Sequence, residues 1–140
     1  MTLPAWPAEL PRPMRSGYQA QNMDPRIRRS GETGPPSYRR RYSSVARRVA
    51  LVIDVPRALK ATFEIFHEQV LSHGALPFTM PDPTTDGWPL LMSDGTPVLT
   101  AGGVRILLAR QWVCLFGEEP PVEQVIGVRF RLEFGVVVMP

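Results

Sequence analysis

The chain has 140 residues, enough for one domain with a proper core, and its 44% hydrophobic content is ordinary for a globular protein. The single cysteine, Cys114, excludes an internal disulfide. No apolar run approaches the length of a membrane-spanning helix, and no secretory signal is visible. We therefore expect no membrane insertion and a protein that is intracellular or assembled inside the cell.

Basic charge is concentrated in the first third of the chain. Residues 1–48 hold ten arginines and three acidic residues, whereas residues 49–140 hold six basic and ten acidic residues. The net charge of +3 therefore divides into +7 for the first segment and −4 for the second. A basic segment on a mildly acidic body predicts docking onto an acidic partner, which could be nucleic acid, a neighbouring copy or another protein.

Residues 1–36 are predicted to form an extended arm. Seven of the 16 prolines fall here, and prolines at that density exclude a helix and favour an extended path. The arm also carries Trp6, Leu10 and Tyr18, which a disordered tail usually lacks. We expect the arm to become ordered by lying across an apolar surface, with a floppy terminus as the alternative.

The segment Tyr38–Tyr42 consists of three arginines between two tyrosines. Such side chains can clamp phosphates and stack on bases. They can equally form one end of an amphipathic strand, in which the arginine stems cover apolar surface. We favour the strand, running over residues 40–53 in one piece or two, because a basic run alone is a weak signal for nucleic-acid binding.

The most regular part of the chain is a strand, a helix and a strand between residues 49 and 83. Apolar and β-branched residues predict a strand at 49–53. Pro56 suits a first helical position and Gly74 a left-handed C-terminal cap, so a helix is predicted over 56–73. Its apolar face would consist of Leu59, Phe63, Phe66 and Val70. A short strand is predicted at 78–81.

The remainder of the chain is mostly β in pattern. A hairpin is predicted over 88–101 around a turn at 93–95, a β-like run over 104–117, and an alternating strand within 122–139. The fold class is therefore mainly β (α+β), antiparallel, with one inserted helix, and the sheet must bury one face in a sandwich or against the helix. No internal repeat is evident. We divide the chain into an extended, proline-rich and basic arm, 1–36, and a β-sandwich domain with one helix, 37–140.

Candidate chemistry is sparse. His67 and His73 are six residues apart and cannot form a helical metal pair. Cys114 lies among apolar residues in a strand, whereas reactive thiols need an electropositive, exposed setting. The three aspartates at 82, 86 and 94 are explained by turn formation. We predict no enzyme activity, no cofactor and no metal site.

The order of these segments resembles the minor tail proteins of long-tailed bacteriophages, in particular the lambda-type minor tail protein M and related distal-tail proteins. The resemblance rests on Gly17-Tyr18-Gln19 upstream of an arginine-rich tract, on a strand ending in Asp54-Val55-Pro56-Arg57, on a helix with Phe63 and Phe66, and on the segment Phe78–Pro81. Gln19 is followed by Ala20 and Gln21, where the family pattern has arginine. The match covers roughly residues 16–83.

This resemblance implies a β-sandwich with one flanking helix and a structural role in the virion tail, at the tail tip, distal tail or neck. It implies assembly in the host cytoplasm, as a ring with itself, most simply a hexamer, and with other tail proteins around the channel through which DNA passes. We predict that the interface with neighbouring copies includes apolar, aromatic and arginine side chains of the N-terminal third. These are Trp6, Leu10, Tyr18, Arg28, Arg29, Arg39, Arg40 and Arg41.

Two other functions remain open. A small nucleic-acid-binding module would use the arginine-rich N-terminal segment and would bind with steep salt dependence. A cytosolic adaptor for an unidentified partner is the third interpretation.

Overall fold

The structure is a computed structural model that describes residues 2–140. The elements in chain order are strands β1 (Gln19–Asn22), β2 (Arg26–Arg29), β3 (Ser37–Arg40) and β4 (Arg47–Val55), helix α1 (Arg57–Ile65) with a π-helical turn (Phe66–Val70), and strands β5 (Phe78–Pro81), β6 (Gln111–Phe116), β7 (Val122–Ile126) and β8 (Arg129–Val138). The predicted mainly β, antiparallel fold with one inserted helix is confirmed. None of the helices in the described residues is long and apolar enough to span a membrane.

A central antiparallel sheet has the strand order β1-β4-β8-β6-β5. Strands β4 and β8 pair from Arg47 opposite Val138 to Val55 opposite Phe130 and form its middle. Along the other side of β8, β6 and β7 follow one another, separated by residues 117–121. The hydrophobic alternation of β4 and β8 fixes this register, since a slip by one residue would turn their apolar side chains to the outer face.

One face of this sheet carries the hydrophobic core. Helix α1, the π-helical turn and the N-terminal arm cover that face, so the core lies between a sheet and a helical layer. The resemblance implied a second sheet as the covering layer. The second sheet of the described residues, β2 with β3, instead consists of exposed residues and buries none of the core.

The first part of the arm, residues 2–22, packs on the body of the protein. Near its start, the backbone amide of Trp6 donates to the carbonyl of Thr79 on edge strand β5 at 2.7 Å. Further along, the amide of Met14 donates to the carbonyl of Val52 on β4 at 2.7 Å, and β1 then continues along β4. The segment therefore crosses the core face from one edge of the sheet to the other. Residue 36 does not separate this arm from the domain it was predicted to adjoin.

The helix is shorter than the predicted 56–73. Pro56 is the N-cap residue, and the helix begins at Arg57. After Ile65 the hydrogen bonds widen to the π pattern, with the amide of Leu71 donating to the carbonyl of Phe66 at 3.0 Å. This wider turn shifts the apolar face by one position. As a result Leu71 is fully buried, while Val70, predicted to face the core, is 43% exposed.

Candidate functional site

The single thiol and two of the turn aspartates have structural surroundings. Burial raises the pKa of the Cys114 thiol to about 12, so it is not a nucleophile near neutral pH. Asp82 is buried, and its Oδ1 accepts hydrogen bonds from the amide of Thr84 at 2.8 Å and from its hydroxyl at 2.7 Å. Asp94 accepts the same pair of bonds from Thr96. Residues 2–140 contain no group of three or more His, Cys, Asp or Glu side chains arranged to hold a metal ion.

A small cleft of about 410 Å³ lies between the arm and strand β5. Prolines and apolar side chains line most of it, and Arg12 and Asp86 are its charged groups. The arm forms one wall of the cleft and is held to β5 by two backbone hydrogen bonds. This lining offers an apolar surface but no acid, base and nucleophile within reach of one another.

The first surface feature is a two-stranded ribbon separate from the central sheet, β2 with β3, which we call the arginine ribbon (residues 26–40). It is the outer part of a long hairpin whose inner part is β1 paired with β4. Every residue of its two strands is exposed. Because the ribbon has no packed face, it gains nothing from the core of its own chain.

Arginines occupy both faces of the arginine ribbon. Arg28 lies opposite Tyr38, and Arg39 lies opposite Ile27, so the two arginines point to opposite faces. Arg26 pairs with Asp24 at 2.9 Å and lies over the Tyr38 ring. Among the described residues, the other arginines of the two strands form no ion pair. They are Arg28, Arg29, Arg39 and Arg40.

The eight predicted interface residues divide into two groups. The five arginines lie on the arginine ribbon or, for Arg41, directly after it. Trp6 and Leu10 are instead buried in the core of their own chain. Tyr18 is half-buried against that core, and its hydroxyl accepts a 3.2 Å hydrogen bond from Arg47. The expectation that Trp6 and Leu10 contact a neighbour is corrected accordingly, because the space between helix and sheet is filled by these two side chains.

A second feature, not predicted from the sequence, is a groove of about 1070 Å³ on the outer face of the central sheet. Its charged lining side chains are three carboxylates, Glu118, Glu119 and Glu133, and one guanidinium, Arg48. We call it the acidic groove. Small residues form part of its lining, namely Gly17, Ala20, Ala50, Gly117 and Gly135. The pair Glu118-Glu119 before two prolines was the available sequence signal, but its position on the sheet depends on the pairing of β6 and β7 with β8.

A third feature is a triangular lobe formed by residues 87–110. The predicted hairpin with its turn at 93–95 is present, and a third segment closes it into a triangle. Three backbone hydrogen bonds of 2.8–3.1 Å link the segments in a cycle. The amide of Val98 donates to the carbonyl of Leu90, the amide of Ile106 donates to the carbonyl of Val98, and the amide of Leu90 donates to the carbonyl of Ile106. The β-bridges between the three segments repeat in the same threefold way. They join Leu91 with Pro97, Leu99 with Arg105, and Leu107 with Pro89.

The expectation of no internal repeat is therefore wrong for this segment. Glycines at 87, 95 and 103 are eight residues apart, and all three have positive φ, at 80°, 90° and 81°. Each begins a similar five-residue unit: Gly87-Trp88-Pro89-Leu90-Leu91, Gly95-Thr96-Pro97-Val98-Leu99 and Gly103-Val104-Arg105-Ile106-Leu107. The repeat is short, and proline at two of the three equivalent positions interrupts the alternating pattern of a strand.

The triangular lobe has no core of its own. Each of its residues is exposed or half-buried. The three equivalent leucines, Leu91, Leu99 and Leu107, are 54%, 53% and 58% exposed. Exposed apolar side chains that gather on a surface mark interaction sites in soluble proteins, so the three leucines make the lobe a candidate interaction surface.

Comparison with protein-family models, with characterised proteins and with solved structures gives no match. The arginine ribbon, the acidic groove and the triangular lobe are the three surfaces of the described residues that could contact a partner.

Proposed function

We propose that the protein is a structural component of a bacteriophage tail, at the tail tip, distal tail or neck, that assembles with copies of itself into a ring and with other tail proteins. The observation that supports assembly is the arginine ribbon. It extends a hairpin of the central sheet beyond the body and exposes every residue of its two strands. The tail is the setting implied by the resemblance of residues 16–83.

The energetics of the chain favour a partner. The core is complete within one chain, since the arm and helix cover the apolar face of the sheet. In the arginine ribbon and the triangular lobe, in contrast, the backbone is ordered although no apolar side chain is buried. Fixing the backbone costs about 1–2 kcal/mol of conformational entropy per residue. Covering these surfaces in an assembly would offset that cost, which is a common way for proteins to protect exposed strands.

The test of self-assembly is the mass of the full chain in solution by light scattering over a range of concentrations. We expect a discrete oligomer, a hexamer in the simplest case. Replacing the outer hairpin, residues 25–41, by a short Asn-Gly turn should yield a folded monomer. Removing residues 1–36 would not be a clean test, because this deletion takes Trp6 and Leu10 out of the core.

The test of the tail setting is separate. Antibodies against the chain should label tailed particles released by the bacterium that carries the gene, at one end of the tail, in electron micrographs. Particles free of the protein by mass spectrometry would refute the virion role, whatever the oligomeric state.

Nucleic-acid binding is the second candidate, and the shape of the arginine ribbon favours it. A two-stranded ribbon fits the major groove of DNA, and this one carries arginines on both faces. Fluorescence anisotropy with duplex DNA at several salt concentrations tests it. Contact of about five arginines with phosphates predicts a slope of log affinity against log salt near −4 to −5. Weak binding without that slope would remove this candidate.

A further inference from the structure

We infer that the arginine ribbon of one copy lies in the acidic groove of the next copy. This inference rests on the proposed function, in that it assumes self-assembly, and it identifies the two surfaces that meet.

Charge complementarity selects the occupant of the groove. The acidic groove presents three carboxylates and one guanidinium. The strands of the arginine ribbon carry five arginines, of which only Arg26 has a carboxylate partner within residues 2–140. Opposite charges on two facing surfaces steer association and fix register, and guanidinium forks bind carboxylates in a bidentate manner.

The shape of the groove suits a β-ribbon. Ala50 on β4 and Gly135 on β8 lie opposite one another, and these two small residues of the lining leave room for a partner's backbone to approach the sheet. Each ribbon strand has four residues, so the paired part is about 13 Å long at 3.3 Å per residue. The chain's own ribbon does not fill the site, since no residue between 24 and 41 lines the groove.

The contact joins two different surfaces, so it is heterologous. Each copy then offers one ribbon and one groove, and repetition of the contact produces a ring if the rotation closes and a filament if it does not. A heterologous contact is therefore compatible with a ring, whereas a contact of one surface with the same surface of another copy would produce only a dimer.

Charge reversal on each surface tests the inference. The ribbon variant is Arg28→Glu with Arg39→Glu, which changes one arginine on each face. The groove variant is Glu118→Arg with Glu119→Arg. All four positions are exposed, so both variants should keep the wild-type circular dichroism and thermal midpoint.

Each variant alone should be monomeric, with self-association weakened by about 100-fold or more, because like charges now face each other. A 1:1 mixture should restore the oligomer. In the mixture the reversed ribbon meets the reversed groove, and the native ribbon of the other variant meets a native groove. The restored assembly should contain the two variants in alternation and an even number of copies.

Two matched controls carry the same charge changes elsewhere on the surface. Arg12→Glu with Arg57→Glu, and Glu9→Arg with Glu68→Arg, should leave the oligomer intact, since these positions are exposed and lie outside the arginine ribbon, the acidic groove and the triangular lobe.

An oligomer that persists in both the ribbon and groove variants would overturn the inference and leave self-assembly to another surface. Variants that dissociate but fail to reassociate when mixed would overturn it as well, as would a wild-type chain that stays monomeric at every concentration. The virion role would survive each of these results, because labelling of tailed particles decides it independently. A ribbon variant that loses DNA binding while the groove variant retains it would support the nucleic-acid function instead.

Discussion

Truncation of Trp6 to alanine is the most direct test of where the arm belongs. Trp6 is 9% exposed, and its ring lies 5.6–6.2 Å from the rings of Phe63, Phe66, Phe78 and Phe134. These side chains come from the helix, the π-helical turn and two strands of the sheet. A single residue of the arm therefore joins both layers of the core.

The expected loss is about 4 kcal/mol of unfolding free energy, since buried Phe and Trp side chains cost about 3–5 kcal/mol when truncated to alanine. A domain of this size has about 5–15 kcal/mol in total, so the variant should be folded but strongly destabilised. With a urea m-value of about 2 kcal/mol/M, the midpoint should fall by about 2 M.

Urea unfolding followed by far-ultraviolet circular dichroism is the appropriate assay, because tryptophan fluorescence changes with the substitution. Measurements at several protein concentrations separate folding from association. Trp88→Ala is the control: this ring is 42% exposed and lies under Arg15, so its loss should cost less than about 1 kcal/mol. A Trp6→Ala loss no larger than that of the control would refute the packing of the arm in its own core.

Three further predictions concern the triangular lobe, a histidine and the cysteine. Gly95→Ala and Gly103→Ala should each weaken the lobe by about 1 kcal/mol, since both residues have positive φ with no atom near an added Cβ. Gly102→Ala is the control, because Gly102 does not have positive φ. Hydrogen exchange of the lobe's amides measures the effect, and unequal rates in the first two variants would argue against the threefold equivalence. Desolvation, together with the nearby charge of His73, lowers the pKa of His67 below its ordinary 6.5. The unfolded chain therefore binds a proton at His67 more readily, and stability should fall as pH drops from 6.5 through the lowered pKa. Urea unfolding of His67→Gln should show a flatter pH dependence. Because the pKa of Cys114 is raised to about 12, a thiol reagent at pH 8 should label it only after unfolding, and rapid labelling of the native chain would contradict its burial.

Most of the strands and turns could be predicted from the sequence. Apolar β-branched residues indicated a strand at 49–53, and alternation indicated one within 122–139, because both signals are local. These strands are parts of β4 and β8, but their pairing at the centre of the sheet came from the structure. The Asp-Gly turn at 94–95 has the expected positive φ at the glycine. The end of the helix could not be predicted. Leu71 is buried instead of Val70 because of a π-helical turn, which helix propensity alone does not reveal.

For the surfaces, the sequence provided the arginines and the structure provided their arrangement. The arginine-rich tract was predicted as a strand, but its pairing with β2, away from the central sheet, required knowledge of both strands. The acidic groove joins residues of β1, β4, β8 and the loop at 117–121, which are brought together only by strand order.

The sequence by itself determined that this protein is mainly β with one helix, because hydrophobic period and turn residues act over a few positions. The tertiary structure decided where the arm goes. Trp6 and Leu10 would be equally apolar against a neighbour or against their own body, and the outcome depends on the volume left between a helix and a sheet that are distant in sequence. That same packing leaves the arginine ribbon outside, with its charges available to a partner.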